Sequence, residues 1–186
     1  EGHSLVMVAQ AAPCSIRNTD LVKEGEITSF LDYLEPKWKG KIVLSDPAVA
    51  GNSNNSFALM ANKTFGMERT LEILRRLAAQ EPVMIRDQRQ LLEWVARGKY
   101  PVGIGQSSTQ FAEFKRLGAP IALVKLKEPT IISVSSGNIF VFDKAPHPNA
   151  AKLFVNWLLS KEGASIWSPA TGNPSMRVDV SVEGFD

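Results

Sequence analysis

Between Lys41 and Val124 the chain repeatedly exchanges one hydrophobic period for another, and this alternation limits its fold more than any other feature. Lys41 to Leu44 is a short apolar run, and Asp46-Pro47 turns the chain after it. A polar stretch, Gly51-Asn52-Ser53-Asn54-Asn55-Ser56, then leads into apolar residues at helical spacing: Phe57, Leu59, Met60 and Phe65. Its start is rich in helix-capping types. A second helix is expected over Met67 to Ala79, with Leu71, Leu74 and Leu77 inward and Glu72, Arg75 and Arg76 outward. Val83 to Ile85 reads as a strand. Asp87 suits the N-cap of a helix from Gln88 to Arg97 that carries Leu91, Leu92 and Val95 on one face and stops at Gly98. Val102 to Ile104, a helix over Ser107 to Leu117 and Ile121 to Val124 complete the series. Strands that alternate with helices across short connections predict an α/β sandwich around a largely parallel sheet.

The flanks read differently. Leu5 to Ala9 and Cys14 to Ile16 are strand-like runs separated by Pro13, and Ile27, Phe30, Leu31 and Leu34 predict a short helix that Pro36 ends. Beyond Lys125, Ile131 to Ser135 and Asn138 to Phe142 are β-rich, and helices are expected over Pro148 to Leu159 and Lys161 to Ser168. No fixed-period repeat is visible.

Composition narrows the function. The 186 residues carry 21 Lys+Arg against 19 Asp+Glu, for a formal net charge of +2, and the basic residues are scattered. Nothing in this balance calls for nucleic acid or an anionic lipid surface as partner. No apolar run reaches the ~18 residues of a membrane-spanning helix. The single cysteine, Cys14, has no internal disulfide partner and cannot build a cysteine metal cluster.

Catalytic patterns fail in turn. His3 and His147 sit in no metal-binding motif, Ser53 is not in a nucleophile elbow, and Cys14 lacks the basic surroundings of an activated thiolate. Gly103-Ile104-Gly105 lacks the third glycine of a dinucleotide fingerprint, because Ser108 stands there. No catalytic residue, cofactor or metal ligand is assigned, and the chain is not expected to be an enzyme. Uncharged polar residues instead gather after three expected strands, where an open α/β sheet binds ligands. The loops carry Gly51, Asn52, Ser53 and Asn54, then Arg86, Asp87 and Gln88, then Gly105, Gln106, Ser107 and Ser108, and of these Gly51, Asn52, Ser53, Arg86, Gln88, Gln106 and Ser107 are the expected ligand contacts. Helix starts attract anions, and Arg86 could add a charge-assisted bond. Caps and turn formers account for the same residues at each loop taken alone.

Longer stretches then become recognisable. Pro36-Lys37-Trp38-Lys39-Gly40-Lys41-Ile42 leads into Asp46-Pro47, and Gly98-Lys99 precedes Val102 to Ile104. Ala145 to Phe154, Leu158-Leu159-Ser160-Lys161-Glu162-Gly163 and Arg177-Val178-Asp179-Val180 follow in order. With these stretches the chain resembles the periplasmic solute-binding proteins of ABC importers, in the group that includes ferric-ion, thiamine, phosphonate and polyamine binders. The resemblance covers about Glu26 to Val180 and is most specific from His147 through Glu162.

The resemblance implies a type 2 periplasmic-binding fold: a three-layer α/β lobe together with part of a second lobe. It implies that 19–132 form the contiguous ligand-binding lobe, with 171–186 returning to it, and that 1–18 and 133–170 are hinge strands and a remnant of the other lobe. On this reading the chain corresponds to the middle and C-terminal part of a receptor. Such a receptor works in the periplasm, or outside the cell on a membrane tether, and delivers a small solute to an ABC permease. An incomplete lobe would leave apolar surface open to self-association. In the ferric-ion binders an anion rests on a small-residue turn that falls at Gly51, Asn52 and Ser53, whereas the two iron-ligating tyrosines would fall near Ser108 and Thr109 and are absent. Their absence argues against phenolate-bound iron, and the helix start together with Arg86 makes an organic anion or zwitterion the expected ligand. Two other functions fit the same fold: the ligand-sensing domain of a regulator, and a phosphate-handling enzyme using Asp46 or Asp87.

Overall fold

The computed structural model describes residues 5–6, 10–12, 15–49, 52–128, 131–133, 138–171 and 174–181. The expectations placed on His3, Cys14 and Gly51 fall outside these residues. Contacts divide the chain into two units, one of Ala12–Ile131 and one of Glu1–Ala11 with Ile132–Asp186. The segment after Thr171, expected to return to the first lobe, groups with 132–170. The strands β2 (Gln10–Ala12) and β8 (Ile131–Ser133), through which the division runs, pair with each other.

The larger unit is built on a five-stranded sheet. Its strands are β3 (Ser15–Asn18), β4 (Ile42–Ser45), β5 (Val83–Ile85), β6 (Val102–Ile104) and β7 (Ile121–Leu123), in the order β5-β4-β6-β3-β7. β4 runs parallel to β5, with Leu44 opposite Met84, and parallel to β6, with Val43 opposite Gly103. β3 is antiparallel to both β6 and β7. The sheet is thus mixed, and Ser15–Asn18, expected among the hinge strands, lies inside it. Local periodicity shows that a segment is extended but carries no information about its partner.

Alternate residues of each strand serve opposite helical layers. Ile42, Leu44, Val102 and Ile104 join a core with Phe30, Tyr33 and Trp38, with Phe57 of α1 (Asn52–Leu59), and with Ile73 and Leu77 of α2 (Met67–Ala78). Val43 and Ile16 face the other way, onto Leu91, Leu92 and Val95 of α3 (Gln88–Ala96) and the partly buried Phe111 and Phe114 of α4 (Ser108–Arg116). Gly103 belongs to this second face, because a Cβ there would sit 2.7 Å from Leu91 Cδ2 and 3.0 Å from Val95 Cγ2. The first glycine of the Gly-Ile-Gly sequence is therefore a helix-packing residue.

Several helical elements depart from expectation. α1 begins at Asn52, not near Phe57, and a π-helical turn over Met60–Thr64 joins it to α2. In α2 the buried set is Thr70, Ile73 and Leu77, while Leu71 is exposed, so the inward face is rotated by about one residue. The segment expected as a helix from Ile27 forms a 3₁₀ turn over Phe30–Leu34, closed by a capping box between Ser29 and Asp32.

The smaller unit contains β1 (Leu5–Val6) paired antiparallel with β9 (Asn138–Ile139), followed by α5 (Pro148–Leu159) and α6 (Lys161–Thr171). Ser160 makes the corner between the helices, because its Oγ donates to Trp157 O at 2.6 Å and accepts from Gly163 N at 3.1 Å. A Cβ at Gly163 would lie 2.1 Å from Trp157 O, so only glycine fits that corner. Arg177 then fastens the tail: Nη1 donates to Leu159 O at 2.8 Å, while Nε and Nη2 each donate to Asp179 at 2.8 Å. Two of the stretches that carry the family resemblance thus form one joint. α6 runs past its expected end through Pro169 to Thr171.

Candidate ligand-binding edge

Three parallel strands place the ends of β4, β5 and β6 on one edge, and the chain leaves them toward opposite faces. β4 leads to α1 on one face, whereas β5 and β6 lead to α3 and α4 on the other. Between β4 and β6 the connections diverge, and such a switch point leaves a crevice outside the strand ends.

The crevice is built by close approach. Gly105 follows β6 with φ +89°, a conformation that side-chain-bearing residues rarely adopt. A Cβ there would come within 2.8 Å of both Ser45 Cβ and Ser53 Cβ and 3.3 Å of Ser53 N. Ser53 is fully buried, and its Oγ has no hydrogen-bond partner in this structure. A buried hydroxyl without a partner is uncommon enough to need an explanation. The first turn of α1 carries no acidic residue, so the positive end of its dipole meets no carboxylate of that turn.

The neighbouring helix starts are occupied. Asp87 caps α3, its Oδ1 accepting from Arg89 N at 2.9 Å and Gln90 N at 3.2 Å. Ser107 caps α4, its Oγ accepting from Gln110 N at 3.5 Å. Gln88 opens α3 and is half-buried. Gln106, expected to contact the ligand, is fully buried in this structure. Arg86 is exposed, and its Nε donates to Asp46 Oδ2 at 3.1 Å. Asp46 Oδ1 accepts from Ala48 N at 2.9 Å. Bonds from Ala48 N and then Arg86 hold the Asp46 carboxyl below its usual range against a small burial effect.

The expected residues therefore separate into groups. Asn52 and Ser53 open α1 at the Gly105 contact, Arg86 stands over the β4 turn, and Ser107 is used by its own helix. Gly105 stands among the polar residues expected after the third strand, whereas nothing in the sequence singles out Ser45, which meets it here. The two tyrosines serve packing: Tyr33 is buried with its hydroxyl 2.6 Å from Ser15 Oγ, and Tyr100 lies against Trp94. Among the described residues no group of three His, Cys, Asp or Glu could hold a metal ion. None of the described helices is long and apolar enough to cross a membrane.

Comparisons with known proteins agree with this architecture. A Haemophilus influenzae protein described as uncharacterized is 30% identical over 135 residues, which are 73% of this chain and 38% of that protein. The structure of a periplasmic binding protein, AfuA from Actinobacillus pleuropneumoniae, with exogenous fructose-6-phosphate bound, superposes with a TM-score of 0.72 at 24% identity. It covers 96% of this chain and 56% of its own. A two-component system protein that mediates signal transduction matches with a TM-score of 0.74 at 24% identity, over 96% of this chain and 58% of its own. At these identities the structural matches establish the fold, of the type 2 periplasmic-binding kind. The chain spans well under two thirds of the length of each of these relatives. A family model for bacterial extracellular solute-binding proteins matches residues 2–170, and the chain belongs to that family.

Proposed function

We propose that the larger unit is one lobe of a receptor that captures a small organic anion or zwitterion between two lobes and delivers it to an ABC permease from the periplasmic side of the membrane. The observation that carries this reading is the fully buried Ser53 hydroxyl, without a partner, at the start of α1 and against Gly105. A ligand oxyanion would accept from that hydroxyl and from the first backbone N–H groups of the helix. The Actinobacillus relative, with fructose-6-phosphate bound, supports a phosphorylated solute as the first ligand to test. Ligand held by two lobes stabilises their closed arrangement only through contacts that the open one lacks, so closure would strengthen a weaker affinity that the larger unit's own half-site already has. A thermal-shift and calorimetric screen of anionic phosphates and carboxylates, neutral sugars and metal ions tests the proposal. Anionic hits are expected, and a metal ion or a neutral sugar as the sole hit would refute the anion assignment.

A second reading rests on the likeness to a two-component system protein: the same fold would sense a ligand for a regulator. Ligand-loaded protein that stimulates a permease ATPase in vesicles supports the transport reading. Loaded protein that alters only the autophosphorylation of a membrane kinase supports the sensing one.

A further inference from the structure

Asp46 is held more firmly than a turn residue needs to be. Its N–H donates to Ile85 O at 2.8 Å, which extends the pairing of β4 and β5 one step past the strand ends. Its Oδ1 accepts from Ala48 N at 2.9 Å and its Oδ2 from Arg86 Nε at 3.1 Å. Its side chain is 20% exposed, whereas that of Arg86 is 79% exposed. Among the described residues Asp46 is the sole hydrogen-bond partner of the Arg86 side chain, and it uses Nε alone. An ion pair this exposed adds little to stability. It does fix the plane of a guanidinium whose two terminal nitrogens stay available, and that planar fork is the geometry that takes an oxyanion in two parallel bonds.

We propose that Asp46 is a positioning residue, holding Arg86 by Nε so that Nη1 and Nη2 grip the anionic group of the ligand at the strand-end edge. The inference rests on the reading that an anion binds at this edge. The two physical effects of Asp46 have opposite signs. Its negative charge repels an anion, so charge alone predicts that Asp46→Asn tightens binding, while orientation predicts that it weakens binding.

The test is a phosphorus NMR titration of the 186-residue chain with inorganic phosphate, which reads weak affinities directly. Asp46→Asn and Arg86→Gln should each weaken phosphate binding about tenfold or more, as expected for losing a hydrogen bond to a charged group. The double variant should be no weaker than Arg86→Gln alone. In an Arg86→Lys background, which keeps the charge without the fork, Asp46→Asn should have no weakening effect. Asp46→Ser, which can still accept from Ala48 N, serves if the asparagine variant misfolds. Tighter or unchanged binding in Asp46→Asn, or losses that add in the double variant, overturns the inference and leaves the anion site standing. Failure of the unaltered chain to bind phosphate overturns the anion reading and the inference with it.

Discussion

Helices α1 and α3 both start where a parallel strand ends, on adjacent strands of one sheet, and both were marked in the sequence by polar, cap-forming residues. Their first turns are finished in different ways. α3 carries its own anion, since Asp87 accepts from two backbone N–H groups and occupies the positive end of the dipole. α1 has no acidic residue in its first turn and buries a serine hydroxyl without a partner against the next loop. The difference teaches that Asn, Asp and Ser before a helix identify a start without showing whether it is closed. Closure depends on what the neighbouring loop brings to it, and here the neighbour is Gly105.

The largest effect is expected from removing that neighbour. Gly105→Ala places a methyl group 2.8 Å from two Cβ atoms in a left-handed backbone conformation. It should destabilise the chain by about 2–3 kcal/mol through overpacking and strain and abolish phosphate binding. Urea denaturation and phosphate titration measure the two losses. Gly103→Ala, which meets Leu91 and Val95 instead, should cost about 1–3 kcal/mol and spare binding. Equal binding losses in the two variants would show that Gly105 acts through stability alone.

Exchange at the caps should split the two helices cleanly. Asp87→Ala is expected to lower stability by about 1 kcal/mol through loss of an N-cap and to leave phosphate affinity unchanged. Ser53→Ala should behave in the opposite way: several-fold weaker phosphate binding with stability equal or slightly raised, because an unpaired buried hydroxyl is removed. Weaker binding in Asp87→Ala would move the anion to α3.

The smallest effect concerns a third helix start, the 3₁₀ turn at Phe30. Partial burial of Asp32 acts to raise its pKa, but bonds from Thr28 N and Ser29 N and the Thr28 hydroxyl outweigh it and set the carboxyl below its usual range. A depressed pKa contributes stability that is present above the ordinary carboxylate value and lost as the pH falls through the lowered one. The denaturation midpoint of Asp32→Asn should therefore show a shallower decline in acid than that of the unaltered chain. Parallel declines would remove Asp32 from the acid limb.

Much of the fold was legible because local chemistry decides it. Val83–Ile85, Val102–Ile104 and Pro148–Leu159 have the bounds that periodicity and proline placement predict. Asp87 and Ser107 cap the helices they were expected to begin. What was not legible depends on distant partners. Nothing near Gln106 marks it as fully buried, since a glutamine after a strand is equally at home facing a crevice. The rotation of α2 that hides Ile73 and exposes Leu71 is set by the surface it packs on, since both faces repeat at helical spacing. The loop after Val83–Ile85 marks Arg86 as an anion ligand, while its tie to Asp46 joins residues from two loops and has no local signature.

The placing of β3 governs how this chain can acquire its structure. Ser15–Asn18 is made before both of its partners, Val102–Ile104 and Ile121–Leu123, which follow it by more than 80 residues. While a ribosome is still adding the intervening residues, this strand has no ladder to join and both its edges stay open to other chains. Sheet completion awaits long-range encounters of the kind that slow folding. Slow assembly leaves time for a chaperone to hold the chain unfolded, and for misassociation when none does.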